Sequence, residues 1–254
     1  MISLKYALSK YTPKPLRSPV YKHLYKKYGR SYFFDKNQFL GKKVLIIGPA
    51  STVHQELGEI DTSKYDVVVK MNNGIFTHFD ELKNKDQCNI LFHSLTSETK
   101  GISNETLLKN GVTTLVHRTP KRSSFLSTII ADKKFSEAAT VKIIPFEEYE
   151  ELSQKLAGFS PSTGLSCINF FISAPTEELA IIGFTFFTTN YVEGYDVNVT
   201  SDSEAIRKVK DAGHHSPERE ADFVNSIINK AVLDGKVIVV GSKMNEAMSL
   251  IISK

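Results

Sequence analysis

The sequence predicts an α/β domain built on a mostly parallel sheet covered by helices on both faces. Three observations carry that expectation. Seven short apolar runs rich in Val, Ile and Leu recur between residues 43 and 240, bounded by Gly, Asn, Ser and Pro. Helix-like segments alternate with them, and such alternation gives parallel strands joined by crossovers. The first run, "KKVLIIG", opens into a glycine loop, as the leading strand of a nucleotide-binding sheet does.

In order, residues 1–40 read as a basic, aromatic leader and residues 41–254 as the domain. Pro13, Pro15 and Pro19 break the leader, and "YKHLYKKYGRSYFF" predicts a short helix ending near Gly29. After the first strand, "STVHQELGEI" suits a helix with Ser51 as N-cap. "YDVVVKMN" predicts a second strand ending at the turn signal "NNG". "CNILFHS" and "VTTLVHR" predict a third and fourth around "NETLLKN", and "VKIIPF" a fifth. "SPSTGLSCINFFISA" starts as a polar loop and continues as an apolar helix that Pro175 stops, before the strand "EELAIIGFTFF". "SPEREADFVNSIINKAVLDG" predicts an amphipathic helix with Pro217 in its first turn and Gly235 at its end, followed by a last strand, "KVIVVGS". Residues 94–104, 118–135 and 186–212 read as loops that set specificity.

Composition narrows the function. With 254 residues and 41% hydrophobic content the chain can bury a real core, and no window is apolar enough for a membrane span. Two cysteines, Cys88 and Cys167, make no disulfide framework, so a reducing cytoplasm is the expected setting. Residues 1–43 hold eleven Lys and Arg against the single acid Asp35. Interleaved Tyr and Phe make this segment suited to an anionic membrane face or a lipid-linked acceptor, or to packing as a leader helix. No recognition motif points to nucleic acid.

Three polar loops carry the chemistry. "GPAST" has one glycine where a dinucleotide fingerprint needs three, and Lys70-Met71-Asn72 stands where a ribose-binding acid belongs; no phosphate-binding P-loop is present either. "SPSTGL" offers the hydroxyls of Ser160, Ser162 and Thr163, with Gly164 opening a helix whose N-terminus favours an anion. "GHHSPERE" places His214 and His215 before a helix whose first turn carries Glu218 and Glu220. An imidazole there can serve as base, phosphate partner or metal ligand.

Together these segments resemble the sialyltransferase family, glycosyltransferases that use CMP-activated acidic sugars. "KVLIIGPASTVHQELGEIDTSKYDVVVKMNNG" is similar to that family's long motif, with Glu59-Ile60-Asp61 and Asp66–Asn72 as its later parts. "SPSTGLSCINFFISAPTEELAIIGF" is similar to its second motif, and "HSPERE", His215 with Glu220 five positions on, to its short one. The resemblance implies a single modified Rossmann-like domain, a CMP-sugar donor, a glycan or glycolipid acceptor, and neither metal nor cofactor. It implies that Gly48, Ser51, Thr52, Asn72, Asn73, Ser162, Thr163 and Gly164 hold the nucleotide or its phosphate. His215 would deprotonate the acceptor hydroxyl for inverting attack, and Glu220 would steady the loop or the charged imidazole.

Departures from the family pattern shape the expectation. Pro49 replaces the asparagine that follows the loop glycine, so one nucleotide contact is either lost or moved to Ser51 or Thr52, and another ulosonic acid, such as Kdo, is admitted as the sugar. The His-Tyr-Tyr motif is not evident; Tyr191, Tyr195 and His214 are the alternatives for it. Cys88 and Cys167 do not match the family's disulfide. The expected setting is surface polysaccharide synthesis in the cytoplasm, with residues 1–40 at the inner membrane face. The alternatives are a retaining transferase with a carboxylate nucleophile, and a non-catalytic nucleotide- or glycan-binding relative.

Overall fold

A computed structural model describes residues 3–96, 99–118 and 124–253. Every predicted run becomes a strand: β1 (Lys43–Ile47), β2 (Val67–Met71), β3 (Ile90–His93), β4 (Thr114–His117), β5 (Thr140–Ile143), β6 (Glu178–Ile182) and β7 (Val237–Val240). They form one sheet in the order β5-β4-β3-β2-β1-β6-β7, and each neighbouring pair runs parallel. At its centre β1 lies between β2 and β6, in register with β6 from Lys43↔Glu178 to Ile47↔Ile182. Val44, Leu45 and Ile46 are wholly buried, because helices cover both faces; hence a continuous apolar run rather than an alternating one.

The helices are α1 (Leu4–Tyr11), α2 (Arg17–Tyr32), α3 (Val53–Gly58), α4 (Asn104–Lys109), α5 (Phe125–Phe135), α6 (Phe146–Lys155), α7 (Thr163–Ile172), α8 (Asp202–Ala212), α9 (Pro217–Leu233) and α10 (Ser242–Ile252). Val44 and Ile46 join a core made with Phe170 and Phe171 of α7, Val224 of α9 and Met244 of α10. Leu45 and Ile47 face the other way, onto Val53 and Leu57 of α3. Leu91 and Leu115 extend that second face onto Leu107 of α4 and Phe135 of α5.

Several sequence expectations need correction. α2 runs through Gly29 to Tyr32 and starts before Pro19, because proline is tolerated in a first helical turn. The stretches expected as loops at 118–135 and 186–212 contain α5 and α8, while residues 97–98 and 119–123 lie outside the described residues. Ser51 does not cap α3. Thr52 occupies that position with no side-chain capping bond, and its Oγ1 is buried without a hydrogen-bond partner among the described residues. Ser51 is exposed, its amide donating to Asn190 O at 3.0 Å.

The leader covers one edge of the sheet. Tyr21, Leu24 and Tyr32 are buried against Phe125, Leu126, Ile129 and Ile143. Phe34 enters the main core, stacked on Phe170 at 4.8 Å, and its amide donates to Ile143 O at 3.0 Å. The aromatic content of this segment therefore goes largely into packing. No helix among the described residues is long and apolar enough to cross a membrane.

Candidate active site

From β1 the chain steps outward to β5, then returns to β6 on β1's other flank, which opens a crevice at the carboxyl ends of β1 and β6. The two loops cross there in backbone contact. Gly48 N donates to Ile182 O at 2.8 Å and Ala50 N to Gly183 O at 3.0 Å. A Cβ on Gly48 would lie 2.1 Å from Gly183 O, and Gly183 itself has a φ of +73°; both positions require glycine. Beyond this crossing lies a cavity of about 490 Å³.

One wall is the start of α7. Ser162 is its N-cap, the Oγ accepting from Leu165 N at 3.0 Å. The carboxylate of Glu220, buried on α9, accepts from Ser162 N at 2.8 Å and from Ser162 Oγ at 2.6 Å. Among the described residues no acceptor takes the amides of Thr163 or Gly164, so the helix N-terminus keeps donors for a ligand. Burial pushes the Glu220 carboxyl up to about 7, against the opposing hydrogen bonds from Ser162 and the charge of Arg118. Gly164 also makes room for Phe184, whose ring would come within 2.7 Å of an added Cβ.

His215 lies beside this wall. Its Nδ1 is 2.6 Å from Ser160 O, and a carbonyl only accepts, so Nδ1 carries the proton and Nε2 the lone pair. Ser160 N in turn donates to His214 O at 2.8 Å, which pins the two loops together. Glu220 Oε1 is 3.7 Å from Nδ1, too far for a hydrogen bond, so Glu220 steadies the Ser162 loop rather than the imidazole. Burial lowers the His215 pKa to about 4, which keeps the ring neutral. Phe187 lies nearly parallel to it, with ring centroids 6.0 Å apart and 15° between planes.

Another wall comes from the end of β2. Asn72 has a φ of +48°, a conformation asparagine tolerates, and its Oδ1 accepts from Ser94 N at 3.0 Å while its amide reaches the Tyr195 hydroxyl. Asn73 Nδ2 donates to Tyr195 O at 2.9 Å, and its Oδ1 accepts from Lys100 N at 2.8 Å, so this side chain joins three loops. Tyr191 lines the cavity, and burial pushes its hydroxyl up to about 12.

The fold thus gathers Asn72, Asn73, Ser162, Thr163, Gly164, Tyr191, His214, His215 and Glu220 around one cavity. Gly48 stands behind it as the crossing point, and Ser51 and Thr52 are not on its surface; Pro49 and Ala50 are. His214 is exposed, its Nδ1 3.1 Å from Ala212 O. Arg118, Phe187 and the pair Lys208–Asp196, which meets at 2.5 Å, also line the cavity; they fall in the stretches 118–135 and 186–212 expected to set specificity, without being singled out there. Only Arg118 carries a legible signal, a charge directly after a buried strand at the carboxyl edge of the sheet. Among the described residues no group of three His, Cys, Asp or Glu is placed to hold a metal ion.

No protein-family model matches the chain, and no curated protein matches it in sequence. Among solved structures, a mammalian sialyltransferase aligns with a TM-score of 0.51 at 13% identity, over 94% of this chain and 86% of that one. The fold is sialyltransferase-like. Two further sialyltransferases align more loosely. One is CST-II in complex with CMP, with a TM-score of 0.48, 15% identity and coverage of 80% of this chain and 87% of that one. The other is Cst-I from Campylobacter jejuni, with a TM-score of 0.46, 14% identity and coverage of 79% and 75%. Within this sialyltransferase-like fold, the three sequence blocks that carry the resemblance meet at one cavity.

Proposed function

We propose that this chain is a glycosyltransferase that moves an acidic sugar, sialic acid or another ulosonic acid, from a CMP donor to a glycan hydroxyl. The observation that carries the reading is His215, fixed by Ser160 so that a neutral imidazole keeps its Nε2 lone pair at the cavity. In this reading Nε2 takes the acceptor hydroxyl's proton, and the oxygen attacks the anomeric carbon. The bond from that carbon to the phosphate oxygen breaks with inversion, and CMP leaves. Thr163 and Gly164 amides hold the phosphate at the start of α7. Asn72, which keeps one lone pair and one N–H beyond its internal bonds, holds the cytidine part.

Neither cavity carboxylate suits a retaining nucleophile: Glu220 is committed to Ser162, and Asp196 pairs with Lys208. No step calls on a metal or a cofactor. Exposed Lys10, Lys14 and Arg17 beside exposed Tyr11 and Leu16 support peripheral contact of residues 1–40 with an anionic membrane, and with it a cytoplasmic role on lipid-linked or surface-polysaccharide acceptors. The test is incubation with CMP-sialic acid and CMP-Kdo, following CMP release by mass spectrometry. Release with either supports the proposal; CMP binding without release indicates a non-catalytic relative; neither release nor binding overturns it.

A further inference from the structure

Arg118, directly after β4, takes no part in the chemistry above, although it lines the same cavity. It is held from two sides. Its Nη1 donates to Pro161 O at 2.6 Å, and its Cζ lies 5.8 Å from the Tyr149 ring centre on α6. The side chain is half-buried, yet no carboxylate among the described residues comes within ion-pair distance. Its Nε is buried without a hydrogen-bond partner among those residues, and so is the Tyr149 hydroxyl. Glu220, whose carboxyl feels the Arg118 charge, spends both oxygens on Ser162. A guanidinium drawn partly out of water without an anion is costly, and the cavity is where an anion can reach it.

We infer that Arg118 forms the subsite for the carboxylate of the transferred sugar, an inference that rests on reading the cavity as a CMP-sugar site. A CMP-linked ulosonic acid carries two kinds of anion, the phosphate and a carboxylate bonded directly to the anomeric carbon. The N-terminus of α7 provides for the phosphate. The anomeric carbon must sit next to the base, and Arg118 is close enough for its charge to act on both His215 and Glu220. A planar guanidinium fork matches the two oxygens of a carboxylate, and Pro161 and Tyr149 hold that fork in place before the ligand arrives. The subsite would select acidic sugars over neutral ones, whose CMP-linked forms leave the guanidinium unpaired.

The experiment is calorimetric titration of wild type, Arg118→Lys and Arg118→Gln with two probes. One is CMP; the other is CMP-3-fluorosialic acid or CMP-3-fluoro-Kdo, the inert form of whichever donor the wild type turns over. The expected result is a CMP Kd within about 2-fold across all three proteins. The sugar probe should weaken about 10-fold in Arg118→Lys and about 100-fold in Arg118→Gln. Arg118→Lys keeps the charge, so it decides the matter should Arg118→Gln fail to fold. Equal weakening of both probes would assign Arg118 to the phosphate and overturn the inference, as would no weakening of either. A wild type that turns over a donor in either case keeps the CMP-sugar reading intact; one that binds neither probe removes both.

Discussion

At the scale of single residues, one backbone carbonyl decides what His215 can do. Ser160 O takes the Nδ1 proton, and burial lowers the imidazole pKa to about 4, so the ring is a neutral acceptor at physiological pH. The sequence motif marks His215 and Glu220 but not their division of labour, since that depends on Glu220 reaching Ser162 58 positions away. Glu220 has a folded pKa of about 7 against an ordinary 4.5, raised mainly by burial. A raised carboxylate contributes stability that is complete below about pH 4.5 and lost as pH rises through 7. Measured by denaturant unfolding, wild type should therefore lose on the order of 3 kcal/mol relative to Glu220→Gln between pH 4.5 and 8. Glu56, also buried with a raised pKa, is present in both proteins and cancels in the difference. A difference that stays flat with pH contradicts the assignment.

Among the elements, α7 does most to build the site, and its far end is secured in an unusual way. Lys236 Nζ donates to three carbonyls at its C-terminus, Phe171 O and Ile172 O at 2.9 Å and Ala174 O at 2.5 Å. A cation there complements the helix dipole whose N-terminus faces the cavity. Lys236→Met should cost about 1–3 kcal/mol, a drop in Tm of about 2–10 °C, and leave CMP affinity within about 2-fold. An unchanged Tm would show that the lysine contributes little. The strands were legible because burial on both faces leaves plain apolar runs, whereas the two helices that lie in stretches expected as loops were hidden for opposite reasons. α8 buries only Ala205 and Val209, so its apolar stripe is too thin to read. α5 is pressed between the leader and the sheet, so Phe125, Leu126, Ile129, Ala131 and Phe135 are all buried and the helical period is blurred.

Over the whole molecule, the sheet order is what makes a site from segments far apart in sequence. The loop "GPAST" illustrates both sides of that. Its lone glycine signals a nucleotide-binding type of sheet, yet Gly48 serves the crossing with Gly183, and the cavity is touched by Pro49 and Ala50 instead of Ser51 and Thr52. Nothing in the linear chain shows that Asn190 and Tyr191 would pair with this loop, or that Arg118 would end beside Pro161. Because the two halves of the sheet meet at that crossing, Gly48→Ala should act globally. A Cβ 2.1 Å from Gly183 O cannot be accommodated without moving backbone, so soluble yield and Tm should both collapse. A variant that melts within about 3 °C of wild type would refute the rigid crossing.

The proposed function stands on a neutral His215 acting as the base in a CMP-sugar site. Its most direct measurement is CMP release from the preferred donor by wild type and His215→Ala, with CMP affinity measured on the same preparations. Transfer should fall by at least about 100-fold in His215→Ala while CMP binds within about 3-fold of wild type. Transfer that survives the substitution would contradict that role for His215.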